Sequence, residues 1–467
     1  MKPFLIFAAL FPVLCGASFW VANIPSEGQT LPAQTCDDAK SNGLSFMESI
    51  RAPGFSTSLP QPELPTITYG KKLPTIYKNG KRFTPKNYLP QHLQMQPFEG
   101  KYKDIAKIGD VIRKASERRT RITIFGASHT EGEFWTGHLR RVLQTRYGDL
   151  GHGFVMPAPP FAQVRFADLN VCRSEGWHTG FVGRQEIVDD PYYGLGMRAI
   201  SDDPTQFAWI ETTHSNPHGR AVSIFELLTL KQPGGGSLLV TLDNEQPILF
   251  PTLSDSPGLN RLRIDTFDSN HRLTLNPLGD GPVRLFGVSM ERPGNGVLVD
   301  AIGIRGRTMR TWKYWDSQIL KDSLDALDPS IVVVAYGTNE ASSTEYSMKQ
   351  YRKDLRRSLQ ILKDARPDQI CILAGPSDRG KKKGRRSFSV WDRTIMVADI
   401  QREIAPEFGC VFWDWQQAQG GEGSMIAGRY TNPPLSAKDL IHHTRPGYIH
   451  MANQFVKALD DAALHYQ

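Results

Sequence analysis

Five short apolar runs dominate the pattern of this chain: RITIFG (121–126), LVDAIGI (298–304), IVVVAYG (331–337), ICILAG (370–375) and CVFWDW (410–415). Stretches of helical periodicity separate them. Phe134, Trp135, Leu139, Val142 and Leu143 fall on one helix face, and Ile319, Leu320, Leu324 and Leu327 on another. Tyr351, Leu355, Leu359 and Leu362 mark a third, Ile395, Ile400 and Ile404 a fourth, and a last helix is expected from about Gly447 to His465. Strands with apolar residues on both faces have no side to give to water, so helices must cover both. The chain is therefore expected to form an α/β fold with a doubly wound parallel sheet.

That pattern breaks between the first helix and the second strand. Over 165–293 the signals change to short strands between turn residues: SLLVTLDN, ILFPTL, NRLRIDTF, HRLTLNP and PVRLFGVSME. This predicts an inserted β-sandwich-like domain, splitting the α/β domain into 116–164 and 294–467. Residues 23–115 are rich in Pro, Lys and polar residues and read as a segment that wraps the surface or spaces the body from a membrane. Residues 1–22 carry one lysine and then an apolar run. An export signal cleaved after Ala17 or Ala22, an uncleaved anchor and a lipoprotein at Cys15 all fit. An exported, periplasmic or cell-envelope protein is expected, with membrane-surface association through the N-terminus.

Charge adds a direction. Lys and Arg number 55 against 48 Asp and Glu, a net +7 over 467 residues. That excess suits a cell-wall polymer or lipid headgroups and is too small for a nucleic-acid footprint. Lys381, Lys382, Lys383, Arg385 and Arg386 concentrate part of it in what reads as a solvated loop or a grip for an anionic surface. No Cys/His cluster has metal-ligand spacing, so neither metal nor cofactor is expected. Cys371 and Cys410 lie in apolar strands and read as buried free thiols, leaving Cys36 and Cys172 as the better disulfide candidates. Trp177, Trp209, Trp413 and Trp415 are candidates for stacking on sugar rings, the last two equally for the core.

Ligands of an open parallel sheet bind beyond the carboxyl ends of its strands. After the first strand comes Gly126-Ala127-Ser128-His129-Thr130, a serine entering a helix, where it serves either as nucleophile or as helix cap. Gly303-Ile304-Arg305-Gly306-Arg307 follows the second strand and Gly337-Thr338-Asn339-Glu340 the third. Near the C-terminus, Asp439 precedes His442 by three residues. That spacing can set a carboxylate against one imidazole nitrogen and leave the other for a serine proton. His443 is a competitor for the same part.

The order of these four blocks, and in detail GASHTEGEFWTGHLRRVLQ, AYGTNEAS, GGEGSM and DLIHHTRPGY, resembles the SGNH hydrolases (the GDSL esterase/lipase family), within them the exported peptidoglycan O-acetylesterases. The likeness covers about 118–160 and 294–467. It implies a flavodoxin-like α/β fold carrying a carbohydrate-binding-like insertion. It also implies Ser128 as nucleophile, His442 as general base and Asp439 as its orienter. The Ser128 and Gly306 N–H groups and the Asn339 side chain would form the oxyanion hole. Ala127 and Glu340 depart from the family's pattern, each where aspartate is usual. The implied activity is removal of O-acetyl groups from a cell-wall polysaccharide, with acetylated peptidoglycan as substrate and no nucleic acid as partner. An O-acetyltransferase on the same scaffold, with a sugar hydroxyl replacing water, and a non-catalytic wall-binding protein remain open at this point.

Overall fold

The five apolar runs form strands of one sheet in a computed structural model. It describes residues 66–467 apart from 86–87, 162–165, 184–189 and 214–217. The proposed export segment, Cys15 and Cys36 lie outside these residues. We number β2 (Arg119–Gly126), β3 (Gly296–Gly303), β4 (Ile331–Ala335), β5 (Ile370–Ala374) and β6 (Cys410–Trp413), preceded by the short β1 (Phe98–Glu99). Their order is β3-β2-β4-β5-β6-β1, parallel except for β1.

The helices divide between the two faces as the alternation requires. Ile122, Ile124, Val333 and Ile372 pack under α1 (Tyr102–Arg113), α3 (Phe134–Tyr147) and α7 (Arg445–His465). Their neighbours Phe125, Val332, Val334 and Leu373 face α4 (Ser317–Leu327), α5 (Met348–Ala365) and α6 (Arg393–Ile404). Asp316 and Ser347 start α4 and α5, each accepting a backbone N–H three residues on.

Residues 169–291 supply two antiparallel sheets. One orders Ile248–Pro251, Ser237–Leu242, Arg272–Pro277, Ala208–Thr212 and Leu169–Arg173. The other is built around Val222–Lys231 and Val283–Glu291. Leu238, Val240, Leu273 and Leu275 from the first share one apolar cluster with Phe225, Leu227, Leu285 and Val288 from the second. Arg121 on β2 ties this region to the α/β sheet. Its buried guanidinium donates to Glu291 at 2.6 Å and to Ser289 at 2.7 Å.

Three expectations change. The segment before residue 116 is more than a wrapping: it contributes β1 to the sheet edge, α1 to one face and two strands, Thr75–Lys78 and Lys81–Phe83, to a small separate sheet. Ile105, Ile108, Val111 and Ile112 are the buried stripe that anchors α1. Cys371 and Cys410 are not free thiols. They face each other in register on β5 and β6, with Cα atoms 4.5 Å apart, and are joined as a disulfide. Cys172 is also disulfide-bonded, as expected. Finally, Trp177, Trp209, Trp413 and Trp415 are all buried, none more than 8% exposed, so their faces are taken by protein rather than left for a sugar. Among the described residues no helix is long and apolar enough to cross a membrane.

Candidate active site

Ser128 sits one turn beyond the end of β2, at the start of the short helix α2 (Ser128–Glu131). The turn is tight because two glycines let backbone approach backbone. A Cβ on Gly126 would stand 2.1 Å from Thr130 Oγ1, and one on Gly303 2.1 Å from the Glu131 nitrogen. The Ala127 carbonyl accepts the N–H groups of Thr130 and Glu131. This leaves the Ser128 hydroxyl partly exposed at the carboxyl edge of the sheet.

The second half of the site arrives from the loop before α7. Asp439 Oδ1 accepts the N–H groups of Ile441 and His442, both at 3.0 Å, closing a turn around Leu440 in the left-handed region (φ 59). The turn aims the ring of His442 back at the carboxylate. His442 Nδ1 donates to Asp439 Oδ2 at 2.6 Å, while its Nε2 lies 2.8 Å from Ser128 Oγ. Burial opposes the charge on Asp439, but the hydrogen bonds from His442 and the two backbone N–H groups outweigh it and hold the carboxyl below its usual range. His443 turns the other way: it is buried, accepts from Trp415 Nε1 at 3.2 Å, and burial pushes its pKa down to about 3. Of the two adjacent histidines, His442 is the one that faces both Ser128 and Asp439.

Gly306 and Asn339 stand at the ends of β3 and β4. Gly306 is exposed with φ +71 in open space, and Asn339 Nδ2 donates to the Arg307 carbonyl at 2.8 Å, which docks the two turns on each other. Glu340 is buried beneath them and accepts from the N–H groups of Met309 and Gly337, both at 2.9 Å. Burial pushes it up to about 7 against those hydrogen bonds. The longer side chain at this position thereby braces the Asn339 turn against the segment after Gly306. Ser128, His442 and Asp439 thus meet directly, while Gly306 and Asn339 follow β3 and β4, the two strands that flank β2.

Two groups there went unread. His129, next to Ser128, is buried beside His442 with ring centroids 5.0 Å apart; its Nδ1 lies 2.9 Å from the Tyr448 hydroxyl. Burial pushes its pKa well below the ordinary imidazole value. Glu131 is paired with Arg305, whose Nε donates to Oε2 at 2.8 Å, fastening α2 to the turn that carries Gly306. The signal for Glu131 was its place three residues after Ser128, but only the fold shows its partner.

Glu133, His152 and Asp168 are buried with potential ligand atoms within 4.8 Å of one another, a spacing a metal ion could accept. The guanidinium of Arg140 lies among them, 2.8 Å from Glu133 Oε1 and 3.6 Å from Asp168 Oδ2. The two carboxylates are already matched by an internal cation, so the group does not fit a second one.

A strand-end serine, an imidazole and a carboxylate in line, with N–H donors at the next two strand ends, is an arrangement for acyl transfer. Residues 279–449 match the sequence profile of the GDSL-like Lipase/Acylhydrolase family. Over that stretch the chain resembles the GDSL-like acylhydrolases. A solved structure described as a peptidoglycan O-acetylesterase in action is similar to the chain, with TM-score 0.62 and 23% identity, covering 78% of this chain and 97% of its own. At that identity the likeness shows the fold alone, which the chain shares with that protein over most of its length. A family two carbohydrate esterase from Cellvibrio japonicus aligns at 12% identity over 63% of this chain and 98% of its own, with TM-score 0.24. A GDSL-like lipase from Parabacteroides merdae aligns at 19% over 35% and 73%, with TM-score 0.26. The last two scores are too low to bear on the fold. No curated protein matches.

Proposed function

We propose that this protein is an exported serine esterase that removes O-acetyl groups from a cell-wall polysaccharide, peptidoglycan foremost. The observation that carries the reading is the unbroken line Ser128 Oγ, His442 Nε2, His442 Nδ1, Asp439 Oδ2, with spacings of 2.8 and 2.6 Å. His442 takes the Ser128 proton as Oγ attacks the acetyl carbonyl carbon. The Ser128 and Gly306 N–H groups and Asn339 Nδ2 hold the oxyanion that forms. The intermediate collapses as His442 gives its proton to the departing sugar oxygen, leaving acetyl-Ser128. Water, deprotonated by the same imidazole, then attacks the acyl-enzyme and releases acetate. Ionised Asp439 keeps the tautomer with Nδ1–H and stabilises the imidazolium in both steps. Nothing in this sequence calls for a metal or cofactor.

Polysaccharide as substrate is supported by the two antiparallel sheets of 169–291, which we read as a sandwich-like, carbohydrate-binding module joined to the catalytic body through Arg121 and Glu291. Export is supported by the apolar N-terminal run and by a disulfide in the core sheet, a bond that persists in oxidising compartments. The test is acetate release from a panel of esters: acetylated peptidoglycan, acetylated xylan, an aryl acetate and long-chain acyl esters. The wild type is expected to turn over both the aryl acetate and acetylated peptidoglycan, with long-chain esters untouched and Ser128→Ala inactive on all. Preference for long-chain esters would overturn the substrate class.

A further inference from the structure

The basic run 381–386 is not a loop. Gly380–Gly384 and Ser387–Val390 form a hairpin, and Ser387–Val390 pairs with Thr75–Lys78, itself paired with Lys81–Phe83. Two distant basic segments thus meet in one four-stranded sheet. Its register sorts the side chains by face. Lys382, Phe388, Ile76 and Phe83 form one row, in which Ile76 and Phe388 are buried with Met425, Ile426 and Leu440. Lys381, Ser389, Tyr77 and Arg82 form the adjacent row and point to the opposite side. At roughly 4.8 Å per strand this outer row runs about 14 Å from cation to cation, with a hydroxyl and an aromatic ring between.

The charge is one-sided. All five cations of the hairpin are exposed, as are Lys81 and Arg82, and among the described residues none of these has a carboxylate partner. Lys78 is paired, with Glu422. No acidic residue occurs in 67–85 or in 380–391. The sheet also adjoins the proposed chemistry. The N–H of Gly380 donates to the carbonyl of Leu440 at 3.0 Å, between Asp439 and His442, and Leu440 is part of the sheet's own buried cluster.

We propose that this sheet is a docking surface for the polymer substrate, and that it recognises an acidic glycan, one bearing carboxylates along its length, rather than a neutral one. The inference rests on the esterase reading for its purpose but not for its test. Cations at both ends of the row attract carboxylates, Tyr77 offers a ring face to a sugar between them, and the shared Leu440 places this surface against the catalytic loop. A bilayer is the poorer match: the large hydrophobic side chains exposed elsewhere on the protein are absent from these four strands.

The probe is purified peptidoglycan sacculi, used as they are and with their peptide carboxyls amidated, against the full chain and the variant Lys81→Gln/Arg82→Gln/Lys381→Gln/Lys383→Gln. At low salt the variant is expected to bind native sacculi at least about tenfold more weakly than wild type. Amidated sacculi should weaken the wild type to the same extent. Arginine in place of Lys81, Lys381 and Lys383 should restore binding, and turnover of a neutral aryl acetate should stay at the wild-type rate, which reports an intact fold. Equal binding of wild type and variant would overturn the proposal, as would a loss seen only on anionic lipid vesicles. A wild type with no aryl-acetate hydrolysis but charge-dependent sacculus binding would sink the esterase reading and leave this surface standing.

Discussion

Replacing His442 by alanine is expected to lower kcat for aryl-acetate hydrolysis by about 10⁴-fold or more, with Asp439→Asn close behind at about 10⁴. The reason is the relay itself. Ser128 at its ordinary acidity is a weak nucleophile, and the Nε2 atom 2.8 Å away is the group placed to take its proton. Asp439→Asn keeps the shape but offers Nδ1 an amide, which favours the wrong tautomer and leaves the imidazolium unmatched. His443→Gln is the control. Its side-chain oxygen can accept from Trp415 Nε1 as His443 does, so most of the rate should survive. A severe loss in His443→Gln alongside a mild one in His442→Ala would reverse the assignment of the base.

The largest effect on stability is expected at Arg140. It is buried, bonds to Glu133 at 2.8 Å and to the Val299 carbonyl at 3.0 Å, and neighbours an Asp168 that lies 2.9 Å from His152. Burial and Arg140 oppose a charge on His152, yet its two carboxylate neighbours hold its pKa above the ordinary value. Burial likewise opposes the charge on Asp168, but its cationic neighbours hold that carboxyl well below its usual range. Arg140→Leu removes the main cation and strands two buried carboxylates, at a cost of about 3–5 kcal/mol in the urea-unfolding free energy. Because Glu133 sits at the junction between the Ser128 helix and α3, the loss should loosen the Ser128 turn as well. Adding Glu133→Gln and Asp168→Asn to Arg140→Leu should recover part of that stability, since the combined change removes the unmatched charges. No recovery would mean that Arg140 acts through packing.

How much of this was legible in the sequence depended on distance along the chain. The sheet could be read because apolar runs and helical stripes are local patterns, and all five parallel strands lie where those runs are. Asp439 and His442 could be paired because their contact is made within three residues. Non-local pairings stayed hidden. Cys371 and Cys410 looked like two separate core thiols, since nothing in either strand announces which strand lies beside it or in what register. The same holds for Arg305 with Glu131, and for the basic hairpin, whose partners lie more than 300 residues earlier. The stripe of α1 was present in YKDIAKIGDVIR but was masked by the Pro- and Lys-rich sequence before it. The tryptophans, open between core and sugar contact in the sequence, stayed undecided for a different reason. Residue type indicates that a ring can stack, and only packing decides whether its face is free.

If Ser128 carries the acyl group, covalent labelling reads it directly. Incubating the full chain with an aryl sulfonyl fluoride and mapping the adduct by peptide mass spectrometry should place a single modification on Ser128. Loss of aryl-acetate hydrolysis should track its stoichiometry, and Ser128→Ala should yield neither adduct nor activity. Hydrolysis surviving in Ser128→Ala, or an inactivating adduct on another residue, would contradict the account.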